Sequence, residues 1–218
     1  MKLSKYFSDA DFEEIKQKVK EAESQISGEI VPVIVEKCDS YNVAVYRAAI
    51  AGIFIAFITL IIIDRYIPEF AIYDPVWYFI FAAAGGSTAA LLTYFISPMQ
   101  RLFLGDKIID RTTQQHAELF FISEQVFNTR QRTGILIFIA LWERKVIIRA
   151  DTGISSVVNQ EKWDDLIQII LTSIKKETIL RGILSAIEKC GSIVKEHGFH
   201  ISPDDENELS NELRIEGE

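Results

Sequence analysis

An aspartate in the turn RADTGI, directly after a strand-like run, is the side chain of this sequence best placed to do chemistry. Carboxylates on loops at strand ends are where cations and substrates meet open α/β sheets, and Thr152-Gly153 would let the backbone turn and offer carbonyls beside Asp151. Aspartate is also a common turn cap, so ligand and cap are both open readings of Asp151. Arg130, Arg132 and Thr133 sit where a helix ends before an apolar strand. Their guanidinium groups could grip a phosphate bidentately, or simply complement a helix C-terminus as cations do. Glu29 opens one strand and Glu124 lies on a helix; either would join Asp151 in holding a metal if the fold brought them together. His197 and His200 have a chelating interval but straddle Gly198, and Asp164 and Asp165 read first as acids in the opening turns of a helix. There is no phosphate-cradling glycine loop, nucleophile elbow or zinc signature.

The elements that must position these groups follow from periodicity. Ser8 precedes a helical stripe of Phe12, Ile15, Val19, Ala22 and Ile26, with Asp11 where a capping-box acid belongs. Ser27-Gly28 ends that helix and EIVPVIVE reads as an apolar strand, in which Pro32 removes one ladder donor and so predicts a partly unpaired edge or a bulge. A single strand cannot satisfy its own backbone. Its partners are expected about a hundred residues later, in GILIFIALW and KVIIRAD, separated by Glu143-Arg144 as a tight hairpin. A helix HAELFFISEQVFN precedes them; two more follow, EKWDDLIQIILTSIKK behind Asn159 and ETILRGILSAIEKCGSIVKEH ahead of Gly198.

Between the first strand and its partners lie two apolar runs. Residues 43–63 carry one charge, Arg47, and residues 76–96 carry none. Each matches the roughly 20 residues that cross a hydrocarbon core of about 30 Å. Lys37 and Arg47 flank the first run, Arg101, Lys107 and Arg111 follow the second, and the connection between them has only Arg65 as a base. The expected topology therefore has both termini in the cytoplasm of a bacterial inner-membrane protein, since MKLSKYFSDADFEE lacks the apolar centre of a signal peptide. Small residues recur every four positions, Ala48, Gly52 and Ala56 in one run and Ala82, Gly86 and Ala90 in the other, a spacing that lets two helices approach closely in lipid.

The resulting map has residues 1–42 as the first part of an α/β domain, 43–96 as a transmembrane hairpin, 97–200 as the rest of the domain, and 201–218 as a solvated acidic tail. The net charge of −8, which comes largely from Asp204, Asp205, Glu206, Glu208, Glu212, Glu216 and Glu218, argues against nucleic acid as a partner and against a broad anionic-lipid footprint. The lipid bilayer is the expected partner, with a further membrane or cytoplasmic protein. Cys38 and Cys190 are expected to be unpaired thiols on the cytoplasmic side.

SGEIVPVIV, the aspartate-serine-tyrosine of CDSY, the block RTGILIFIALWERKVIIRAD, the tryptophan of EKWDDLI and the closing NEL together resemble the TPM domain family, in the branch whose domain a two-helix membrane hairpin interrupts. That resemblance implies a three-layer α/β/α sandwich. It also implies either of two functions: an interaction or assembly module, or a divalent-metal-dependent phosphatase using calcium or magnesium, as some relatives are linked to acid phosphatase activity. On the second, Asp151 would be the metal ligand, and Arg130 and Arg132 the phosphate clamp.

Overall fold

A computed structural model describes residues 7–67, 69, 74–176, 178–201 and 207–216. Asp204, Asp205, Glu206 and Glu218 of the acidic segment lie outside the described residues. The chain divides into an α/β unit, Met1–Cys38 with Arg111–Glu218, and a helical unit, Asp39–Asp110.

The α/β unit opens with α1 (Asp9–Glu23), whose first turn carries the capping box expected of Ser8 and Asp11. Ser8 N donates to Asp11 Oδ2 at 2.7 Å, and Ser8 Oγ accepts from Asp11 N at 3.3 Å. Strand β1 (Glu29–Val35) follows and is buried along its whole length. It pairs in parallel with β2 (Gly134–Ala140) in unbroken register from Glu29 opposite Gly134 to Val35 opposite Ala140. Antiparallel to β2 runs β3 (Lys145–Ala150), with Ala140 opposite Lys145 and Ile135 opposite Ala150. The predicted sheet thus closes across the inserted helices.

Two features depart from the sequence reading. The segment read as a solvated tail supplies β4 (Arg214–Glu216), parallel to β1 at Val33 to Val35, and the sheet order is β3-β2-β1-β4. Only three residues take part, and their alternation is too short to register as a strand in sequence. The ladder with β4 begins one residue after Pro32, so the missing donor sits beside the unpaired stretch of β1. The β2–β3 connection spans the four residues Leu141 to Arg144 rather than two, and Arg144 takes the left-handed conformation at φ 56°.

Helices cover both sheet faces, because alternate strand residues point opposite ways. On one face Ile30, Ile34, Ile137 and Ile148 pack with Ile15 and Val19 of α1, Leu166 and Ile170 of α7 (Gln160–Lys176), and Ile183 and Ile187 of α8 (Ile179–Glu196). On the other, Val31, Val33, Leu136 and Phe138 meet Ala117, Phe120 and Phe121 of α5 (Asp106–Ser123). A short helix α6 (Thr152–Ser155) follows β3. Helix α5 stops at Ser123, so Glu124 and Phe127 lie in the turns after it and not in a continuing stripe. Cys38 and Cys190 are buried and free, and burial pushes both thiols up, which leaves them poor nucleophiles.

The helical unit holds α2 (Asn42–Tyr66), α3 (Pro75–Phe95) and α4 (Ser97–Leu104). The first two are long and apolar enough to cross a membrane by length and composition. They leave large apolar side chains bare, among them Ile55 at 66% and Phe79 at 76% exposure. Their mutual contact is close at Gly52, where a Cβ would stand 2.6 Å from the Gly85 carbonyl oxygen and 2.7 Å from the Ala89 Cβ. Ala56 meets Gly85, and Gly86 meets Ile53 and Ala49. Gly52 and Ala56 of the first small-residue stripe therefore face Gly85 and Ala89, one position before Gly86 and Ala90. Ala48 and Ala82 are buried, and Ala90 is half-buried. Arg47 Nη1 donates to the carbonyls of Phe103 and Leu104 at the end of α4.

Candidate functional site

Most of the charged residues singled out above gather at one end of the sheet, where β1 and β2 begin and β3 ends. Two glycines shape that end. A Cβ on Gly134 would stand 1.8 Å from the Val126 carbonyl oxygen, so the turn after α5 folds directly onto the start of β2. A Cβ on Gly153 would stand 2.5 Å from Gln131 O and 2.6 Å from Arg132 O, and Gly153 N donates to Arg132 O at 2.9 Å. The RTG and DTG turns are thus pressed backbone to backbone.

Asp151 joins them. Its Oδ1 accepts from Thr152 N at 2.7 Å, its carbonyl accepts from Ile154 N and Ser155 N, and its own N–H donates to Gly134 O. Arg132 Nε lies 2.9 Å from Asp151 Oδ2, an ion pair between a carboxylate that is 4% exposed and a guanidinium that is about half exposed. Arg132 itself has φ 59°. Of the two readings of Asp151, this is the geometry of the cap.

Arg130 belongs to a second chain of contacts. Its backbone N–H donates to Glu208 Oε2 at 3.0 Å and its Nε lies 3.5 Å from Glu208 Oε1, while Glu208 N donates to Glu29 Oε1 at 3.0 Å. Glu29 is buried at 8% exposure. Glu124 goes elsewhere, pairing at 2.8 Å with Arg214 Nε, whose Nη1 reaches the carbonyls of Ser210 and Glu212.

Sequence reasoning missed Glu23, at the end of α1. Its Oε1 accepts from Ile30 N at 2.8 Å and its Oε2 accepts from Asn211 Nδ2. Burial pushes its carboxyl up to about 8; the neighbouring Glu29 adds to the rise, while the Ile30 N–H bond and Arg214 oppose it. Glu23, Glu29, Lys20, Asn207 and Asn211 line a cavity of about 220 Å³. The visible signal was the doublet NELSNEL, which repeats an amide-acid-leucine triplet in a stretch read for its charge and for its closing NEL, not for contacts to α1.

Calcium and magnesium take six or more oxygen ligands, few of them already spent. Asp151 gives one oxygen to Thr152 and faces Arg132 with the other, Glu29 accepts from Glu208, and Glu124 is held by Arg214. Among the described residues no group of three or more His, Cys, Asp or Glu side chains is arranged to hold a metal ion. The residues present do not fit such an ion. Arg130 and Arg132, each facing an acid, are not a bare phosphate clamp. His197 Nδ1 donates to Ile193 O at 2.7 Å, at the C-cap of α8.

No curated protein matches the chain. The NMR structure of BA42 protein from the psychrophilic bacterium Bizionia argentinensis aligns with a TM-score of 0.59 over 99% of each chain at 19% identity, so the two share a fold. Residues 104–193, from the end of α4 through α5, β2 and β3 into α8, match the family model of the TPM domain.

Proposed function

We propose that this chain is a membrane-anchored, TPM-like protein whose α/β/α unit works as an interaction or assembly module at the cytoplasmic face of a bacterial inner membrane, with α2 and α3 as its transmembrane hairpin. The observation that carries the module reading is the pairing of the charged groups at the sheet end with one another. Arg132 faces Asp151, Arg130 faces Glu208, and Arg214 faces Glu124, so the acids and bases a phosphatase would aim at substrate are spent on holding loops together. A catalytic site needs such groups turned toward the reacting atoms. The anchor reading rests on two uncharged or nearly uncharged helices that expose apolar side chains over most of their length.

Two measurements test it. The purified full chain is assayed against a generic phosphomonoester with calcium or magnesium, and turnover abolished by Asp151→Asn would overturn the module reading in favour of the phosphatase. Membranes from expressing cells are extracted with alkaline carbonate; release of the protein into the supernatant would remove the anchor.

A further inference from the structure

The opposite end of the sheet holds an apolar cavity of about 310 Å³ between the β2–β3 connection and the facing ends of α7 and α8. Ile139, Leu141, Val146, Leu171, Ile174 and Ile179 line it, and Arg144 stands at its rim. Arg144 is exposed, and its guanidinium has no partner among the described residues, in contrast to Arg130, Arg132, Arg149 and Arg214. It also occupies a left-handed position at φ 56°, where glycine or asparagine would sit more comfortably. A strained arginine over an apolar hollow is a feature to be explained by what it meets.

The chain's covalent path says what is near. Leu141 N donates to Val35 O, Trp142 N to Glu36 O, and Cys38 N to Glu143 Oε1 at 2.9 Å, so the β2–β3 connection is fastened to the segment that leads out of β1. Thr113, close to where the chain re-enters this unit, bonds the Cys38 thiol, so both crossings use this end of the sheet. From Cys38 to the start of α2 at Asn42 is four residues, at most roughly 14 Å of extended chain. That tether joins this end of the sheet directly to the first residue of α2. Next to Leu141 in the chain is half-buried Trp142, with Lys37 Nζ 4.6 Å from its ring centroid; Trp and Lys are both residue types favoured at membrane interfaces.

We infer that this cavity takes an acyl chain of an anionic bilayer lipid, whose headgroup is held by Arg144. The inference rests on the reading of α2 and α3 as membrane-spanning. Apolar lining suits the chain, the exposed guanidinium suits a phosphate or carboxylate at its head, and the short link to α2 supplies the source. A lipid drawn part-way from the leaflet would fix the α/β unit against the membrane surface.

The test is photolabelling of the full chain in nanodiscs of phosphatidylcholine containing 20 mol%, to give about one lipid in five, of phosphatidylglycerol with a diazirine in its acyl chain, followed by peptide mapping. Labelled peptides are expected from α2 and α3 and also from residues 139–146 and 171–179. Arg144→Glu and Arg144→Gly should each lower the cavity label at least about fivefold, roughly the loss of one charge-assisted contact, while leaving the α2 and α3 label unchanged. Arg144→Gly relieves the backbone strain, so loss of label in that variant cannot come from misfolding. Label on α2 and α3 with none in the cavity would overturn the inference alone; no label on α2 and α3 would overturn the membrane reading with it. Equal cavity labelling from diazirine phosphatidylcholine would overturn the preference for an anionic headgroup. Labelling by a diazirine fatty acid added in solution, but not by phosphatidylglycerol, would overturn the bilayer as source.

Discussion

Glu23 and Asn211, 188 residues apart in the chain, are joined side chain to side chain at the end of α1. Together with Glu208 on Glu29, Arg214 on Glu124, and Glu216 on His116 at 2.6 Å, this makes residues 207–216 a clasp across the sheet rather than a loose extension.

The clasp should respond to pH through Glu23. Its carboxyl titrates near 8 in the folded chain against an ordinary value of 4.5, so between those limits the folded state keeps a proton that the unfolded state has lost. Stability from this group is complete below about pH 4.5, falls as pH rises with a slope approaching about 1.4 kcal/mol per pH unit, and is gone above about 8. The charged neighbours Glu29, Arg214 and Lys20 share the site and set where the slope lies. Hydrogen exchange of the 207–216 amides should quicken from pH 5 to 8 beyond the intrinsic rate, with the intrinsic part removed by a peptide reference. Glu23→Gln, which keeps an acceptor for Ile30 N–H, should flatten that excess; an unchanged profile in the variant would show that Glu23 does not set it.

Replacing Asp151 removes a helix cap and leaves Arg132 facing an empty, buried corner. Asp151→Ala should cost about 1–3 kcal/mol in denaturant unfolding. Calorimetric titration with calcium or magnesium should look the same for the variant as for the parent protein, and a binding isotherm lost on substitution would revive Asp151 as a ligand.

Gly134→Ala should be far more damaging than its single methyl suggests. The added Cβ would meet the Val126 carbonyl oxygen at 1.8 Å, and a backbone atom there cannot step aside without moving the turn or β2. A loss of at least about 3 kcal/mol is expected, read as insoluble expression or a lowered Tm. Gly105→Ala separates steric from backbone cost: nothing lies within 4 Å, so only the strain of φ 73°, ψ 152° remains, about 1–3 kcal/mol.

In the helical unit, Gly85→Leu should push α2 and α3 apart, because the site already holds the Ala56 methyl at 2.7 Å from a Cβ position. Disulfide trapping between cysteines placed at Ala49 and Gly86, in a background with Cys38 and Cys190 changed to serine, should fall severalfold in the variant. Trapping at the parent level would mean that the small-residue seam does not hold the pair together.

Much of the α/β unit was legible because its signals are local. Ile30 to Val35 and Gly134 to Ala140 are continuous apolar runs that only a strand buried on both faces explains, and Ser8 with Asp11 announces α1. The candidate site was legible only in its pieces. Asp151 and Arg132 were both visible, but their pairing depends on two turns pressed together by Gly134 and Gly153, and sequence spacing carries no trace of that approach. Glu23 was hidden differently: on a helix it reads as one more solvated acid, and what buries it arrives from the far end of the chain. β4 escaped because three residues give too few alternations to outweigh the charge around them.

The parallel ladder of β1 with β2 also sets an order of events during synthesis. Between Val35 and Gly134 the ribosome must add the whole inserted stretch, which at about 5–20 residues per second takes roughly 5 to 20 s. For that interval a largely apolar strand has no strand beside it. An unpaired apolar strand edge is where nascent chains self-associate, so this order of synthesis makes β1 the segment of the α/β unit most open to aggregation before β2 arrives.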